Sequence, residues 1–297
     1  MQRDYIYKPN GEVPPGEQLP EDLRRLALGV EYCGARLHGF QKQASAAETV
    51  QAHLEQALSS IANEPVTLVC AGRTDAGVHA TNQVIHFDTR AVRPQRAWVQ
   101  GVNTHLPDSV RVRWAREVPA QFHARFSARA RSYRYLIHSA PTRSAQAAAE
   151  VTWTQHPLDI EAMRKGAAHL LGRHDFTSFR ASQCQAKSPV RDLTRLDIAR
   201  VGQLIVLEVS ANAFLHHMVR NITGVLMAVG RGERKPEWVR EVLESRDRTA
   251  GGVTAPPFGL YLVDVEYPKE FDLPESQPGP LLVPLPLGRL GTDTPLL

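Results

Sequence analysis

The sequence PVTLVCAGRTDAGVHATNQVIHFDT, residues Pro65–Thr89, predicts two β-strands joined by a short polar turn. The first segment, PVTLVCAG (Pro65–Gly72), is rich in β-branched residues, and NQVIHFDT (Asn82–Thr89) has the same character. The connection between them, RTDAGVHA, carries the aspartate Asp75. The patterns on either side of this strand pair indicate which fold it belongs to.

Strand and helix patterns alternate before and after the pair. Before it, Arg25–Tyr32 has a strand pattern, and a helix is predicted after a capping box of Ser45 and Glu48. The apolar positions of this helix are Val50, Leu54, Leu58 and Ile61. After the pair, the patterns predict a strand at YRYLIHS (Tyr133–Ser139), a helix over Asp159–Leu171, and strands at DLTRLDIAR and LIVLEVSAN. An amphipathic helix follows, which stops near Gly230 and is marked by Phe214, Met218, Ile222, Val225 and Val229. The last predicted element is a strand at Leu260–Tyr267.

Each half of the chain therefore follows the order strand, helix, strand, strand. This order predicts an α+β fold of two related halves, each an antiparallel sheet with helices packed on one face, and a central cleft between the halves. We expect a flexible N-terminal arm at 1–22, the half with the Asp75 turn at 23–118, the second half at 119–267 and a Pro-rich tail at 268–297. The tail contains LLVPLPLGRL, which is too apolar for a simple linker and favours an extended segment on the surface.

The composition narrows the class of protein. The net charge is +4. Hydrophobic residues make up 42% of the chain and charged residues 22%, and this composition is typical of soluble proteins. The three cysteines, Cys33, Cys70 and Cys184, fit neither a disulfide framework nor a zinc motif and favour a reducing compartment. The N-terminus lacks the apolar core of a signal peptide, and no apolar run approaches the roughly 18 residues of a membrane span. We expect a cytoplasmic protein that does not enter a membrane.

Seven arginines lie in one window against a single acidic residue, Glu117. They are Arg111, Arg113, Arg116, Arg125, Arg129, Arg131 and Arg134. Aromatic residues, among them Phe122 and Phe126, are interleaved with them. Like charges at this density repel one another unless they are solvated or matched to an anion. The window therefore indicates either a nucleic-acid surface or a solvated charged face.

Asp75 is the residue best placed for chemistry. It follows a predicted strand, and Gly72 and Gly77 on either side let the main chain turn tightly and let a substrate approach. Asp75 could then project as a nucleophile or base, with Arg73 two residues before it. The alternative is a hairpin turn in which the aspartate caps its own backbone. A phosphate-binding loop has less support, because neither GxGxxG nor a GK[ST] ending is present.

The segment FLHHMVRN, Phe214–Asn221, places Arg220 on the predicted helix, opposite its apolar stripe. Arg220 is either a cation that keeps a carboxylate ionised or an ordinary solvated helix residue. His216 and His217 are adjacent in the sequence, so we expect them to point in different directions and to make a poor metal pair. No metal site is expected, and no Ser–His or Cys–His pattern supports a hydrolase.

These motifs together resemble the TruA family of tRNA pseudouridine synthases, from about Leu26 to Pro274. The matching stretches are TVQAHLEQAL, AGRTDAGVHATNQVIHF, GVNTHLPDSVRV, FHARFSARARSYRYLI, DFTSFRASQCQAKSPVR, ANAFLHHMVRNITGVLMAVG and GLYLVDVEYP. Two departures from the family pattern are visible. Cys33 replaces the aspartate of the usual Tyr-Asp-Gly, and Phe40 replaces the tryptophan of the usual Gly-Trp-Gln. Both lie outside the Asp75 turn, so they bear on local packing or RNA contact and not on activity.

The resemblance implies the pseudouridine synthase fold and an isomerase that needs neither cofactor nor metal. Its reaction would convert uridine to pseudouridine at positions 38, 39 and 40 of the tRNA anticodon stem-loop. Asp75 matches the family's nucleophile, Arg220 the arginine that pairs with it, and Tyr133 the tyrosine that packs on the target base. Arg73 matches a residue that fills the space left by the flipped base, and Leu260 matches an apolar contact to uracil.

The resemblance also implies two RNA-contacting segments and two partners. The residues of these segments are Phe122, His123, Ala124, Arg125 and Phe126, and Gln183, Cys184, Gln185, Ala186 and Lys187. The family acts as a homodimer with one tRNA lying across both subunits, so tRNA and a second copy of the chain are expected partners. The alternatives are a pseudouridine synthase with a shifted RNA target and a tRNA-binding protein without catalysis.

Overall fold

A computed structural model describes residues 8–43, 48–275 and 279–283 of the chain. The chain divides into two compact units, Met1–Arg129 with Asp264–Gln277, and Ala130–Val263 with Pro278–Leu297. Both contain sheet and helix, and the predicted α+β class is confirmed. The ranges and the central cleft expected from the sequence stay predictions. Within the described ranges, no helix combines the length and the hydropathy that a bilayer span requires.

The first unit is built on an antiparallel arrangement of four strands. These are β1 (Arg24–Tyr32), β2 (Val69–Cys70), β3 (His79–Thr89) and β4 (Val110–Val118). Strand β1 lies between β3 and β4, and β2 pairs with the other side of β3. The antiparallel pair predicted around the Asp75 turn is therefore present. The unit also contains a π-helical turn, Ala97–Gly101, and 3-10 turns at Gly34–Arg36 and Lys269–Phe271.

The strand predicted at Pro65–Gly72 is much shorter in the structure than in the sequence pattern. Val66 and Leu68 are buried, yet their main-chain N–H groups donate to side chains of the preceding helix and not to a neighbouring strand. The acceptors are Oγ of Ser59, at 2.9 Å from Val66 N, and Oε1 of Glu55, at 3.3 Å from Leu68 N. Because these buried donors are satisfied in this way, only two residues join the ladder.

Helix α1, Val50–Ala62, confirms the helix predicted from its apolar spacing. The N-cap is Thr49, whose hydroxyl accepts from the N–H of Ala52 at 3.3 Å, and Asn63 ends the helix with a left-handed φ of 58°. Ser45 of the predicted capping box lies outside the described residues. Three of the four predicted apolar positions are buried, and Ile61 is half-buried.

The described part of the second unit contains three helices, five complete strands and the start of one more strand. The strands are β5 (Ala130–Ser139), β6 (Thr152–Thr154), β7 (Gly172–Asp175), β8 (Val190–Val201) and β9 (Leu204–Ala211), and the helices are α2 (Ile160–Ala168), α3 (Met218–Gly230) and α4 (Trp238–Ser245). The order β5-β9-β8-β7 is antiparallel throughout. Strand β6 pairs with β5 in parallel, which departs from the all-antiparallel expectation, because 140–151 crosses back before β6 begins. Thr177–Phe179 and Arg248–Gly251 form 3-10 turns, and β10 (Leu260–Glu266) carries the chain back to the first unit.

Helix α3 differs from its prediction at the start and in its burial. It begins at Met218 and not near Phe214, because His217 adopts a left-handed φ of 61° that helical backbone excludes. The helix is also buried on nearly every side. Its three less-buried residues recur at every fourth position, and they are Arg220, Gly224 and Ala228. The amphipathic pattern therefore identified the helix but understated how much of it is enclosed.

The arginine-rich window does not form one charged surface. Four of its seven arginines make ion pairs with acids outside the window: Arg111–Asp108, Arg113–Glu31, Arg116–Asp272 and Arg134–Glu208. Arg134 is buried, so neither interpretation of the window, a nucleic-acid surface or a solvated charged face, holds for this residue. Its guanidinium also donates to the carbonyls of Gly279 and Val283, at 2.7 and 2.6 Å, and thereby holds the described part of the tail. Arg125 and Arg129 are exposed.

Candidate active site

Asp75 lies in the turn between β2 and β3, within the first unit. The turn is closed by a main-chain hydrogen bond from the N–H of Val78 to the carbonyl of Asp75, 3.1 Å long. Gly77 supplies the positive φ, 80°, that this geometry needs and that residues with a side chain rarely adopt. Asp75 is partly buried, whereas Arg73 is exposed. The carboxylate therefore stands on a fixed backbone, and Arg73 is on the solvent side of the same turn.

The loop after β1 packs directly against this turn. Phe40 donates its main-chain N–H to the carbonyl of Thr74 at 3.0 Å, and Gly77 donates to the carbonyl of Leu37 at 3.4 Å. Gly39 has a φ of 87°, and a Cβ added to it would stand 2.9 Å from the carbonyl oxygen of Thr74 and 3.2 Å from the carbonyl carbon of Asp75. Only glycine fits there, so the loop main chain supports the main chain of the turn at Asp75.

Buried side chains fix the other face of the turn. The hydroxyls of Tyr32 and Thr74 are 2.8 Å apart, and Gln83 donates from Nε2 to the carbonyl of Gly72 at 2.6 Å. All three side chains are less than a tenth exposed. Sequence reasoning missed Tyr32, Thr74 and Gln83, because nothing in their spacing shows that a strand end and a turn over 40 residues later meet.

The two departures from the family pattern lie beside this frame. Cys33 is exposed, and Phe40 is buried with its ring centroid 6.1 Å from that of Tyr32. The contact of Phe40 with Thr74 is made by its main chain, so exchange of the usual tryptophan for phenylalanine leaves that hydrogen bond in place. The Phe40 departure therefore concerns packing beneath the turn.

Tyr133 and Leu260 are enclosed in the second unit. Tyr133 lies on β5 and is 9% exposed, and its ring contacts Phe214 edge-on, with centroids 5.0 Å apart. Leu260 begins β10 and is 5% exposed. Gly259, just before it, has a φ of 89°, and a Cβ there would stand 2.4 Å from the carbonyl oxygen of Leu136. The main chain at Leu260 is therefore held tightly against β5.

Arg220 is not a freely solvated helix residue. Its Nε donates to the carbonyl of Ala255 at 2.9 Å, and the N–H of Ala255 donates back to the carbonyl of Arg220 at 3.1 Å. A Cβ on Gly224, one turn later, would meet the carbonyl oxygen of Val253 at 2.0 Å, so the segment that holds Arg220 crosses the helix in close contact. The residue is partly buried, and the hydrogen bond from Nε gives the guanidinium a defined orientation.

His216 and His217 do not point in different directions. Their ring centroids are 4.0 Å apart, so that expectation was wrong. The left-handed backbone at His217 turns the two side chains to the same side, which adjacent residues in a helix or strand do not do. The expectation that the pair binds no metal stays a prediction.

The segment Phe122–Phe126 has a buried base and an exposed tip. Phe122, His123 and Ala124 are buried, whereas Arg125 and Phe126 are exposed. The Phe126 ring stacks on the His123 ring at 4.4 Å, and the Arg125 guanidinium lies 5.5 Å from the centre of the Phe126 ring. Only the tip is therefore available to a large ligand.

The segment Gln183–Lys187 is held by arginine and by main chain. Arg180 donates from Nη2 to the carbonyls of Cys184 and Ala186, at 2.6 and 3.0 Å, and the N–H of His216 donates to Sγ of Cys184 at 3.4 Å. Gln183, Gln185 and Lys187 are exposed. The loop thus presents polar and cationic side chains on a fixed main chain.

Comparison with known proteins identifies the family. The family model described as tRNA pseudouridine synthase matches residues 29–127 and 167–268. The protein named tRNA pseudouridine synthase A in Pseudomonas aeruginosa is 59% identical over 273 residues, which cover 91% of this chain and 96% of that protein. Its namesakes in Pseudoalteromonas atlantica and Methylococcus capsulatus are each 57% identical, over 87% and 84% of this chain and 98% and 92% of their own lengths.

The chain belongs to the tRNA pseudouridine synthase family. Pseudouridine synthases are isomerases, and the fold is the pseudouridine synthase fold, as expected from the resemblance.

We predict that Gly39→Ala lowers turnover by about tenfold or more, because the added methyl group displaces the main chain at Asp75. Gly16→Ala is the matched control. Gly16 also has a positive φ, 84°, but no atom within 4 Å of an added Cβ, so it isolates the cost of the backbone strain. Initial rates and thermal unfolding of both variants should be compared. Equal turnover in the two variants would contradict the supporting role of Gly39.

Proposed function

We propose that Asp75 is the nucleophile with which this protein isomerises uridine to pseudouridine at positions 38, 39 and 40 of the tRNA anticodon stem-loop. The observation that carries the proposal is the rigid frame around a single carboxylate in the turn that the family motif marks. In the reaction the bond from ribose C1′ to uracil N1 breaks, the base turns, and C5 bonds to C1′. The C5 proton leaves and N1 gains a proton, so the product is an isomer of the substrate.

The frame suits a carboxylate that attacks carbon. Such a nucleophile must be ionised and held within reach of its target, and small misplacements of the attacking atom are costly. Main-chain contacts from Phe40 and Gly39 and side-chain contacts from Tyr32 and Gln83 hold the turn from both faces. These contacts are made within the protein, so they exist before RNA binds.

Arg220 and Tyr133 complete the proposed catalytic set. Arg220 serves as the cation that matches the charge of the nucleophile. What supports this is its place in the family motif and the hydrogen bond that fixes the guanidinium of this partly buried residue. Tyr133 packs on the target base and assists at the C5 proton step, and Leu260 supplies an apolar contact to uracil.

A uridine stacked in an RNA stem cannot be reached without extrusion, which costs a few kcal/mol. We propose that Arg73 assists by taking the vacated space. Its exposed position in the same turn as Asp75 supports this role. The segments Phe122–Phe126 and Gln183–Lys187 bind the RNA, and their exposed members make the contacts. RNA of this kind is bound through shape, phosphates and stacking on aromatic or guanidinium planes.

We further propose that the protein acts in the cytoplasm as a homodimer with one tRNA across both subunits. All three cysteines are free, which agrees with a reducing compartment. The homodimer is proposed from the resemblance to the family. Light scattering of the purified protein tests it, since a mass close to 33.0 kDa would be that of a single chain and would contradict it.

We predict that Asp75→Asn abolishes pseudouridine formation while tRNA affinity stays within about threefold. The amide keeps the size of the side chain but cannot act as a nucleophile. Chemical mapping of pseudouridine in tRNA from a deletion strain, complemented with wild type or variant, reports the product and its position. Asp108→Asn, which removes an exposed carboxylate of the first unit, is the control. Turnover of Asp75→Asn near that of wild type would reject the nucleophile.

We predict that Arg125→Ala, Arg129→Ala and Arg131→Ala each weaken tRNA binding and reduce its salt dependence. Each phosphate contact contributes roughly 0.7 to 0.9 to the slope of log affinity against log salt. The modified uridine should not change, because phosphate contacts carry no base information. Arg113→Ala is the control, since its guanidinium lies 3.4 Å from the Glu31 carboxylate. Binding titrations over a salt series test this, and slopes equal to that of wild type would place the phosphate contacts elsewhere.

A further inference from the structure

Arg25 has the largest fully buried side chain among the described residues, and the proposed reaction does not use it. Its Nε and Nη2 donate to the two carboxylate oxygens of Asp88, at 2.8 and 2.9 Å. Nη1 donates to the main-chain carbonyls of Ala120 and Phe122, at 2.7 and 2.9 Å. A buried charge is stable only when it is paired and its hydrogen bonds are made. Here those bonds tie β1 and β3 to the start of the segment Phe122–Phe126.

His86, on β3, holds the middle of the same segment. It is fully buried, and its Nδ1 accepts from the N–H of Ala124 at 3.1 Å. Burial, with the Arg25 charge as the second cause, lowers the pKa of His86 to about 3. The ring is therefore neutral at working pH and can accept at Nδ1. Its Nε2 has no hydrogen-bond partner in the described part of the chain. The bond from Ala124 to Nδ1 is therefore the polar contact that an apolar side chain of similar size would lose.

His123 completes the scaffold from within the segment. Its Nδ1 lies 3.1 Å from the main-chain nitrogens of both Arg125 and Phe126 and accepts from them. Its own N–H donates to Oγ of Ser127 at 2.9 Å, and its ring lies 4.7 Å from the ring of His86. Burial lowers the pKa of His123 to about 4.

Every main-chain N–H of the segment therefore has an acceptor. Phe122 donates to the carbonyl of Pro119 at 2.9 Å, and the other four donate to side chains. Because all of its main-chain donors are hydrogen-bonded, four of them to side chains, the irregular segment is held in one conformation.

We propose that Arg25 and His86 are positioning residues for RNA binding: they fix the main chain of Phe122–Phe126 so that the Arg125–Phe126 tip meets the tRNA in one orientation. This rests on the proposed function, in which that tip contacts RNA. Neither residue touches the reacting atoms. Their loss therefore raises KM for tRNA and leaves kcat nearly unchanged.

The test compares His86→Leu with His86→Asn in the full chain. Leucine keeps the bulk and removes the acceptor, whereas an asparagine oxygen can take the place of Nδ1. In His86→Leu we expect amide hydrogen exchange at Ala124 to be about tenfold faster and KM to rise about three- to tenfold, the range for one lost hydrogen bond. In His86→Asn both quantities should return to within about twofold of wild type.

The matched control is Phe87→Leu. Phe87 is equally buried on the next position of β3, where alternation turns it to the opposite face, and its ring contacts Trp98 at 5.5 Å. This variant should lose stability but keep KM and Ala124 exchange at their wild-type values. An equal rise of KM in Phe87→Leu would overturn the proposal, since any core defect would then suffice.

Two further outcomes separate the positioning role from the RNA contact itself. Unchanged exchange at Ala124 in His86→Leu overturns the positioning role, whatever the kinetics show. The double variant Arg125→Ala/Phe126→Ala removes the exposed tip itself. An unchanged KM in this variant would show that the segment does not bind tRNA, and it would overturn the proposed RNA contact on which the positioning role rests. Arg25→Lys keeps a cation beside Asp88 but loses the forked geometry, and it should behave as His86→Leu does.

Discussion

Gly39 lies so close to the main chain of Thr74 and Asp75 that no side chain fits between them. This close approach lets the N–H of Phe40 reach the carbonyl of Thr74, and it leaves Tyr32 and Gln83 to hold the turn from its other face. The main-chain position of Asp75 is thereby set by backbone contacts and buried polar groups. Enzymes gain most from groups whose geometry is fixed before the substrate arrives. The catalytic proposal depends on this packing more than on any single interaction of the carboxylate.

Two buried arginines also fix main chain, in other parts of the molecule. Arg25 pairs with Asp88 and donates to the main chain of the segment at Phe122, and Arg134 pairs with Glu208 and donates to the main chain at Gly279 and Val283. In each case a strand supplies a cation that holds irregular backbone, which cannot join a ladder of its own. The planar fork of arginine suits this task, because it serves a carboxylate and carbonyls at once.

Local patterns were sufficient to predict part of this structure. The strands β1 and β3 and the helix α1 follow from apolar periodicity, and seven stretches along the chain, with the Asp75 turn in one of them, together indicated the family. Contacts between distant segments were out of reach. The late start of β2 depends on hydrogen bonds to Glu55 and Ser59 of the preceding helix. The burial of Arg134 depends on its ion pair with Glu208, and the close approach of the His216 and His217 rings depends on a left-handed backbone at His217. None of these is encoded in spacing along the chain.

The central claim is that the position of the Asp75 carboxylate, and not its charge alone, governs the reaction. Asp75→Glu tests this most directly, because it keeps the carboxylate and moves it by one methylene, roughly 1 Å. Single-turnover rates with saturating tRNA should fall about 100-fold, the cost of a misplacement of this size, while tRNA affinity is kept. A rate for Asp75→Glu within about tenfold of wild type would contradict the account, since the frame around the turn would then have no catalytic consequence.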